Sequence, residues 1–152
     1  IHKNNKSNYM SQPIISTING IEMLFNDIHT NLKASSDISK KGAQAIINYY
    51  DRISQKKYGF KVSAEGSLKA LAKSFMEKDP EKALSIYHKT VNLYPYSAYA
   101  YSSLAKAYAD TNRINKAIEY QTQAVEKSKS MSMWHQNNLK KILEKYNAEK
   151  TR

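Results

Sequence analysis

The chain lacks cysteine altogether and has few of the residues that interrupt regular structure. Its 152 residues include no cysteine, four glycines and three prolines. The absence of cysteine excludes a disulfide scaffold, a cysteine nucleophile and a thiolate metal site. The scarcity of glycine and proline excludes a low-complexity chain, and no apolar run approaches the roughly 18 residues of a membrane span. We therefore expect a soluble globular protein with a core that needs neither disulfide nor metal, and no membrane partner.

An initiator methionine and a signal-type apolar segment are also missing, because the sequence begins at Ile1 and continues with polar residues. We expect the chain to be a fragment of a longer one. Without a targeting segment, the sequence does not indicate a cellular compartment.

Acidic residues are few relative to basic ones. The chain has 24 Lys and Arg against 13 Asp and Glu, a formal net charge of +11. Residues 1–60 carry eight basic and four acidic side chains, and residues 61–152 carry sixteen and nine, so the excess is spread along the chain. We interpret it as solvated surface, with a functional basic patch as the alternative. We do not expect nucleic acid to be the partner.

The residues of a catalytic or metal site are not assembled in this sequence. The four glycines build neither a Gly-x-Ser-x-Gly elbow nor a phosphate loop. No two of the four histidines stand at metal-ligand spacing: His2, His29, His88 and His135. We therefore predict no catalytic residue, no cofactor and no metal site within the chain.

Apolar residues recur at helical spacing in the first third of the chain. Residues 1–10 are polar and aperiodic, whereas the stretch from Ile14 to Leu32 places an apolar residue at alternating steps of four and three. This pattern predicts a helix, capped by Ser11, whose apolar stripe is buried against a neighbour. Asp37 predicts the start of a second helix that runs to about Lys57 and stops at Gly59. Residues 11–59 thus form two N-terminal helices.

Capping residues divide the remainder into five more helices. Asp79 followed by Pro80 is a strong start signal, since Asp accepts from free backbone N–H groups and Pro fits the first turn. The predicted helices run from Ser63 to about Lys78, from Asp79 to Tyr94, from Ser97 to the turn at Asn112 and Arg113, from Ile114 to Lys129, and from Met131 to Ala148. The last helix has a charged face and an apolar one, formed by Trp134, Leu139, Ile142, Leu143 and Tyr146. Such a helix is typical of the terminal cap of a repeat array.

One short motif occurs twice in the centre of the chain. Lys82-Ala83-Leu84 recurs 34 residues later as Lys116-Ala117-Ile118. The first copy also carries Leu68, Leu71, Ala72, Phe75, Tyr87 and Pro95, and the second carries Tyr101, Leu104, Ala105, Tyr108, Tyr120 and Ala124. These residues and their 34-residue period resemble the tetratricopeptide repeat family.

That resemblance implies an all-α fold. It would be a right-handed α-solenoid of helix pairs with two extra N-terminal helices and a C-terminal capping helix, about seven helices in total. Residues 60–129 would hold two repeats, 64–94 and 97–129, and residues 130–152 the cap and tail. Because about three repeats are normally needed for an independent array, we expect the N-terminal helices or a missing domain to complete the core. The alanines would let helices approach closely while Tyr87, Tyr101, Tyr108 and Tyr120 fill the gaps. Tyr96 and Tyr99 lie off this stripe.

The resemblance also implies a binding surface, because ligands of the family lie in the concave groove lined by the first helix of each pair. The matching positions here are Lys69, Lys73, Met76, Tyr99, Ser102, Lys106 and Asp110. Three lysines in one groove could hold a C-terminal carboxylate or an acidic peptide; alternatively they are merely solvated. The Asn that carboxylate-binding members use is absent from these positions, which argues against a chaperone-tail clamp.

A second resemblance covers nearly the whole chain. The run NYMSQPIISTINGIEMLF, followed by a helix and KKYGFKVSAEGSL, is similar to the tail of bacterial enterochelin-esterase-like α/β-hydrolases. Ser11, Pro13, Gly20 and Phe25 match that tail, but Tyr9 stands where the family has its catalytic His. His2 is the only nearby substitute, so the general base is missing.

Two functional hypotheses follow. The first is a non-catalytic scaffold module for protein–protein or interdomain interaction, whose partner is a protein, a peptide or an adjacent domain of the same chain. The alternative is the C-terminal portion of a serine esterase whose catalytic domain lies upstream.

Overall fold

All regular secondary structure in the described part of the chain is helical. The computed structural model describes residues 12–29 and 31–151, and these contain no β-strand. The helices are α1 (Gln12–His29), α2 (Asp37–Lys40), α3 (Ala43–Ile53), α4 (Glu65–Phe75), α5 (Pro80–Leu93), α6 (Ala98–Asp110), α7 (Ile114–Lys127) and α8 (Met133–Lys150). The all-helical prediction is confirmed, with eight α-helices in the described part rather than about seven. The chain divides into two compact units, Ile1–Asn31 and Leu32–Arg152.

The first unit contains α1, which carries the predicted apolar stripe. Ile14, Ile18 and Ile21 are 63%, 50% and 52% exposed, so the expectation that the stripe is buried is wrong for these three residues. Spacing tells which residues share a helix face, but it does not tell whether a neighbour covers that face. The predicted cap, Ser11, lies outside the described residues.

The predicted helix from Asp37 to Lys57 is interrupted near its start. The backbone of Gly42 has a φ of +99°, which lies outside helical geometry, and α2 ends one turn after it begins. Beyond α3 the chain makes a single π-helical turn, Ser54–Tyr58. Gly59 ends this turn with a φ of +68°, as the sequence predicted, because glycine adopts the left-handed conformation without steric cost.

The predicted caps of α5 and α6 are confirmed, whereas α4 begins after Ala64 without a side-chain cap, so the prediction that Ser63 caps it is wrong. The Asp79 carboxylate accepts from the Lys82 N–H at 3.0 Å, with Pro80 in the first turn of α5. At the start of α6, Ser97 Oγ accepts from the Ala100 N–H at 3.2 Å. Each cap satisfies a backbone donor that the helix itself leaves without a partner.

Helices of the second unit pack on their neighbours in chain order from α3 to α8, and α4 also contacts α6. Five alanines that the sequence assigned to helix contacts are fully buried: Ala72, Ala83, Ala105, Ala117 and Ala124. The helix α3 belongs to the same core, because Ile46 is fully buried and the Tyr50 hydroxyl lies 2.7 Å from Ser67 Oγ in α4. The two repeat-like pairs therefore share their core with α3.

Aromatic residues follow the sequence pattern with one exception. Tyr87, Tyr101 and Tyr108 are buried and Tyr120 is partly buried, whereas Tyr96 and Tyr99 are exposed. Trp134, which the pattern places on the apolar face of the last helix, is 67% exposed. The side chains of α8 that are buried lie further along it, at Leu139 and Tyr146. No helix of the described ranges is both long and apolar enough to cross a membrane.

Candidate binding groove

A cavity of about 770 Å³ lies between α4, α6 and α8. All seven residues of the sequence-predicted groove line it: Lys69, Lys73, Met76, Tyr99, Ser102, Lys106 and Asp110. The structure thus brings together every residue that the sequence assigned to a binding surface. We call this cavity the groove.

Helical periodicity explains why these residues share a surface. Side chains three and four positions apart lie on one face of a helix, so Lys69, Lys73 and Met76 form a row along α4. The neighbouring positions Leu68 and Leu71 point the other way and are buried in the core. A second row with the same spacing runs along α6, from Tyr99 to Asp110. Because α4 contacts α6, the two rows become the walls of one cavity.

The third wall was not predicted. It is formed by α8, which supplies Ile142, Lys145 and Tyr146, while further lining comes from Glu77, Tyr87, Ser103 and Ala107. Ile142 and Tyr146 were recognised as apolar-face residues, and their spacing of four was a usable signal. Helical spacing does not tell which helices α8 packs against, so the sequence could not assign Ile142 and Tyr146 to the groove.

The lysines of the groove differ in how far their charge is compensated. Lys106 Nζ lies 2.9 Å from both carboxylate oxygens of Asp110, and Lys145 Nζ lies 3.6 Å from Glu149 Oε1. Lys69 and Lys73 form no ion pair or hydrogen bond with any residue of the described ranges. The three lysines that the sequence assigned to the groove thus differ, because Lys106 is paired with Asp110, one helical turn further along α6, whereas Lys69 and Lys73 have no such partner among the described residues. The available positive charge lies on α4.

Two buried tyrosines give the groove neutral hydrogen-bonding groups. Burial raises the pKa of Tyr87, and the negative charge of Asp110 raises it further. Burial also raises the pKa of Tyr146, with smaller contributions from the carboxylates of Asp110 and Glu149. Both phenols therefore stay protonated at neutral pH and can donate hydrogen bonds.

Contacts within the fold account for two histidines, His88 and His135. His88 Nε2 lies 2.6 Å from the Tyr108 hydroxyl, and its ring packs edge-on against Tyr108 and Tyr120. His135 Nδ1 lies 2.8 Å from Ser132 Oγ at the start of α8. Within residues 12–29 and 31–151 no three His, Asp or Glu side chains are grouped so that they could hold a metal ion.

The residues that carry the esterase resemblance lie partly outside the described part of the chain. His2, Tyr9 and Ser11 lie outside the described residues, while Pro13 and Gly20 fall within α1. The esterase hypothesis therefore stays a prediction.

Comparison with known proteins returned no match to a family model, to a curated protein or to a solved structure. The groove is thus the main feature from which a function can be argued.

Proposed function

We propose that this chain is a non-catalytic helical module that binds an acidic peptide segment of a protein partner in the groove. The observation that carries the proposal is the pair Lys69 and Lys73. Both ammonium groups face a cavity and lack a counter-ion among the described residues, while the other two lysines of the cavity are paired. A carboxylate from a partner would supply that missing charge.

The remaining lining suits a peptide. Met76, Tyr99 and Ile142 offer apolar surface, and Ser102 and the Tyr87 phenol can bond to a peptide backbone. A volume of about 770 Å³ falls in the range of roughly 300–1,000 Å³ typical of ligand pockets. The acidic segment would belong to another protein or to an adjacent domain of the same polypeptide.

We further propose that the pairs α4–α5 and α6–α7 are tetratricopeptide-type repeats of a right-handed α-solenoid, with α8 as its cap. The 34-residue recurrence, the packing in chain order and the contact between α4 and α6 support this arrangement. It places the groove on the concave side, formed by the first helix of each pair.

Charge reversal of the free lysines tests the proposal. The probes are fluorescein-labelled octapeptides that are acidic, neutral or basic, with free or amidated C-termini, and the measurement is fluorescence anisotropy. We expect the acidic peptides to bind, and Lys69→Glu with Lys73→Glu to weaken binding at least about tenfold, since each lost charged hydrogen bond costs about 1.5–3 kcal/mol. The same change at Lys140 and Lys141, exposed lysines of α8 outside the groove, is the matched control and should leave binding within about twofold.

The methyl group of Met76 locates the peptide. Its NMR signal should shift on binding, whereas the signal of Met133, which is exposed at the start of α8 and outside the groove, should not. Equal weakening by both double variants, or no binding of any acidic peptide, would contradict the proposal. Loss of binding on amidation alone would identify a C-terminal carboxylate as the group held.

A further inference from the structure

A second cavity, of about 550 Å³, lies where the start of α3 faces the end of α4 and the first half of α5. It shares no lining residue with the groove. Four lysines line it, namely Lys40, Lys41, Lys82 and Lys89, and no Asp or Glu is among its lining residues. We call this cavity the lysine cleft. The groove, by contrast, includes two carboxylates, so the lysine cleft is the more strongly positive of the two.

The positive charge of the lysine cleft is largely uncompensated. Lys82 Nζ lies 4.2 Å from the centre of the Phe75 ring, and Lys89 Nζ donates to Gln44 Oε1 at 2.8 Å. Both partners are neutral, so they position the ammonium groups without cancelling their charge. Lys41 has no ion pair or hydrogen bond from its side chain within the described part of the chain. Only Lys40 is paired, at 3.3 Å, with Asp37, which is 94% exposed and does not line the cleft.

The floor of the lysine cleft favours electrostatic binding. Leu71 and Ile86 line it and are almost completely buried, and Phe75 covers part of the same wall. Apolar material beneath a charged site lowers the local dielectric and strengthens the interaction with an ion of opposite sign. The cleft therefore combines three positive charges that no carboxylate compensates with an apolar floor, and all four of its lysines are exposed to solvent and accessible to a ligand.

We propose that the lysine cleft binds a compact oligophosphate, a condensed chain of two or three phosphate groups that is either free or carried by a nucleotide. A single phosphate could contact only some of the four lysines that line a cavity of about 550 Å³. Consecutive acidic residues of an extended peptide point to opposite sides, so they present half their charge to one surface. A condensed phosphate chain concentrates several negative charges in one place, and lysine ammonium groups bind phosphate as compact point charges.

Calorimetric titration of the whole chain with inorganic tripolyphosphate, at fixed ionic strength, tests this inference. We expect tripolyphosphate to bind at least about tenfold more tightly than orthophosphate. Lys41→Gln with Lys89→Gln should weaken binding at least about tenfold, because each lost charged hydrogen bond is worth a factor of ten or more. The single substitution Lys41→Gln removes a charge that has no ion pair or hydrogen bond among the described residues. We expect a smaller loss of affinity than in the double variant, and this loss reports on binding because the substitution breaks no contact within the fold.

A matched control removes the same charge elsewhere. Lys140→Gln with Lys141→Gln on α8 should leave the affinity for tripolyphosphate within about twofold. If both double variants weaken binding equally, the attraction belongs to the net charge of the chain and the site is refuted. Absence of binding by the unaltered chain would refute it as well. A titration with ATP separates the sources: equal affinity indicates the phosphate chain alone, and tighter binding indicates that the nucleoside is also held.

Discussion

Replacing Ala117 with Glu should remove much of the stability of the second unit. Ala117 lies in α7 with no exposed surface and is part of the core cluster. The substitution has to place two methylene groups and a carboxylate in a space that holds one methyl group. The substitution therefore overpacks the core and also buries a carboxyl group. That group is either charged or, if it becomes protonated, polar and without a hydrogen-bond partner.

The magnitude follows from these two contributions. Forcing extra atoms into a packed core costs about 1–3 kcal/mol, and burying a polar group without a hydrogen bond costs a further 1–3 kcal/mol or so in proteins, with more for a charge. We expect a loss of about 4 kcal/mol in the free energy of unfolding. Since a domain of this kind has a total of only about 5–15 kcal/mol, the variant would be partly unfolded or melt at a much lower temperature.

Urea unfolding followed by far-ultraviolet circular dichroism measures this loss. Tryptophan fluorescence would report poorly, because Trp134, the only tryptophan, is largely exposed. Asn115→Glu is the matched control, since it introduces the same side chain at an exposed position in the first turn of α7. A carboxylate there also interacts favourably with the helix dipole, so stability should stay within about 0.5 kcal/mol.

A third variant separates volume from charge. Ala117→Leu adds bulk without a polar group and should cost about 1–3 kcal/mol. If Ala117→Glu and Asn115→Glu unfold at the same urea concentration as the unaltered chain, Ala117 does not lie at a close helix contact and the packing described above is wrong.

Two further perturbations address a partly buried histidine and the glycine that ends the π-helical turn. Burial, and then the charge of Lys116, lower the pKa of His88 below 6.5, so the folded state binds fewer protons than the unfolded state. The free energy of unfolding should therefore fall as the pH drops below about 6.5, and an equal pH dependence in His88→Gln over pH 5–8 would contradict this. Burial raises the pKa of the neighbouring Tyr120 phenol, so that group does not contribute in this range. Gly59→Ala should cost about 1 kcal/mol in urea unfolding because of its φ of +68°, with Gly59→Asn less harmful; no difference between them would refute the backbone explanation.

Local features of the fold were readable in the sequence because they depend on neighbouring residues alone. Asp79 and Ser97 cap their helices through bonds to backbone N–H groups three residues away, so their residue types and spacing were sufficient. Gly59 marks a helix end for a similarly local reason. The position of Gly42 shows the limit of this reasoning, since a glycine inside a helical pattern can be tolerated or can break the helix. Here it separates α2 from α3.

The groove shows the same division between local pattern and packing. Helical spacing put Lys69 and Lys73 on one face of α4, and a family resemblance indicated that this face binds ligands. Neither conclusion depends on distances between helices. That Lys106 is neutralised by Asp110 depends on the rotamers that the two side chains adopt. A spacing of four residues permits such a pair without requiring it.

What the sequence alone determined is the helical class and most helix ends, because each is encoded within a window of a few turns. What only the tertiary structure decided is which helix faces meet. It made Ile142 and Tyr146 of α8 a wall of the groove and left Trp134 of the same helix exposed. It also gathered Lys41, Lys82 and Lys89 around one cavity. These residues are far apart in the chain, and their proximity results from packing between helices, which no local pattern specifies.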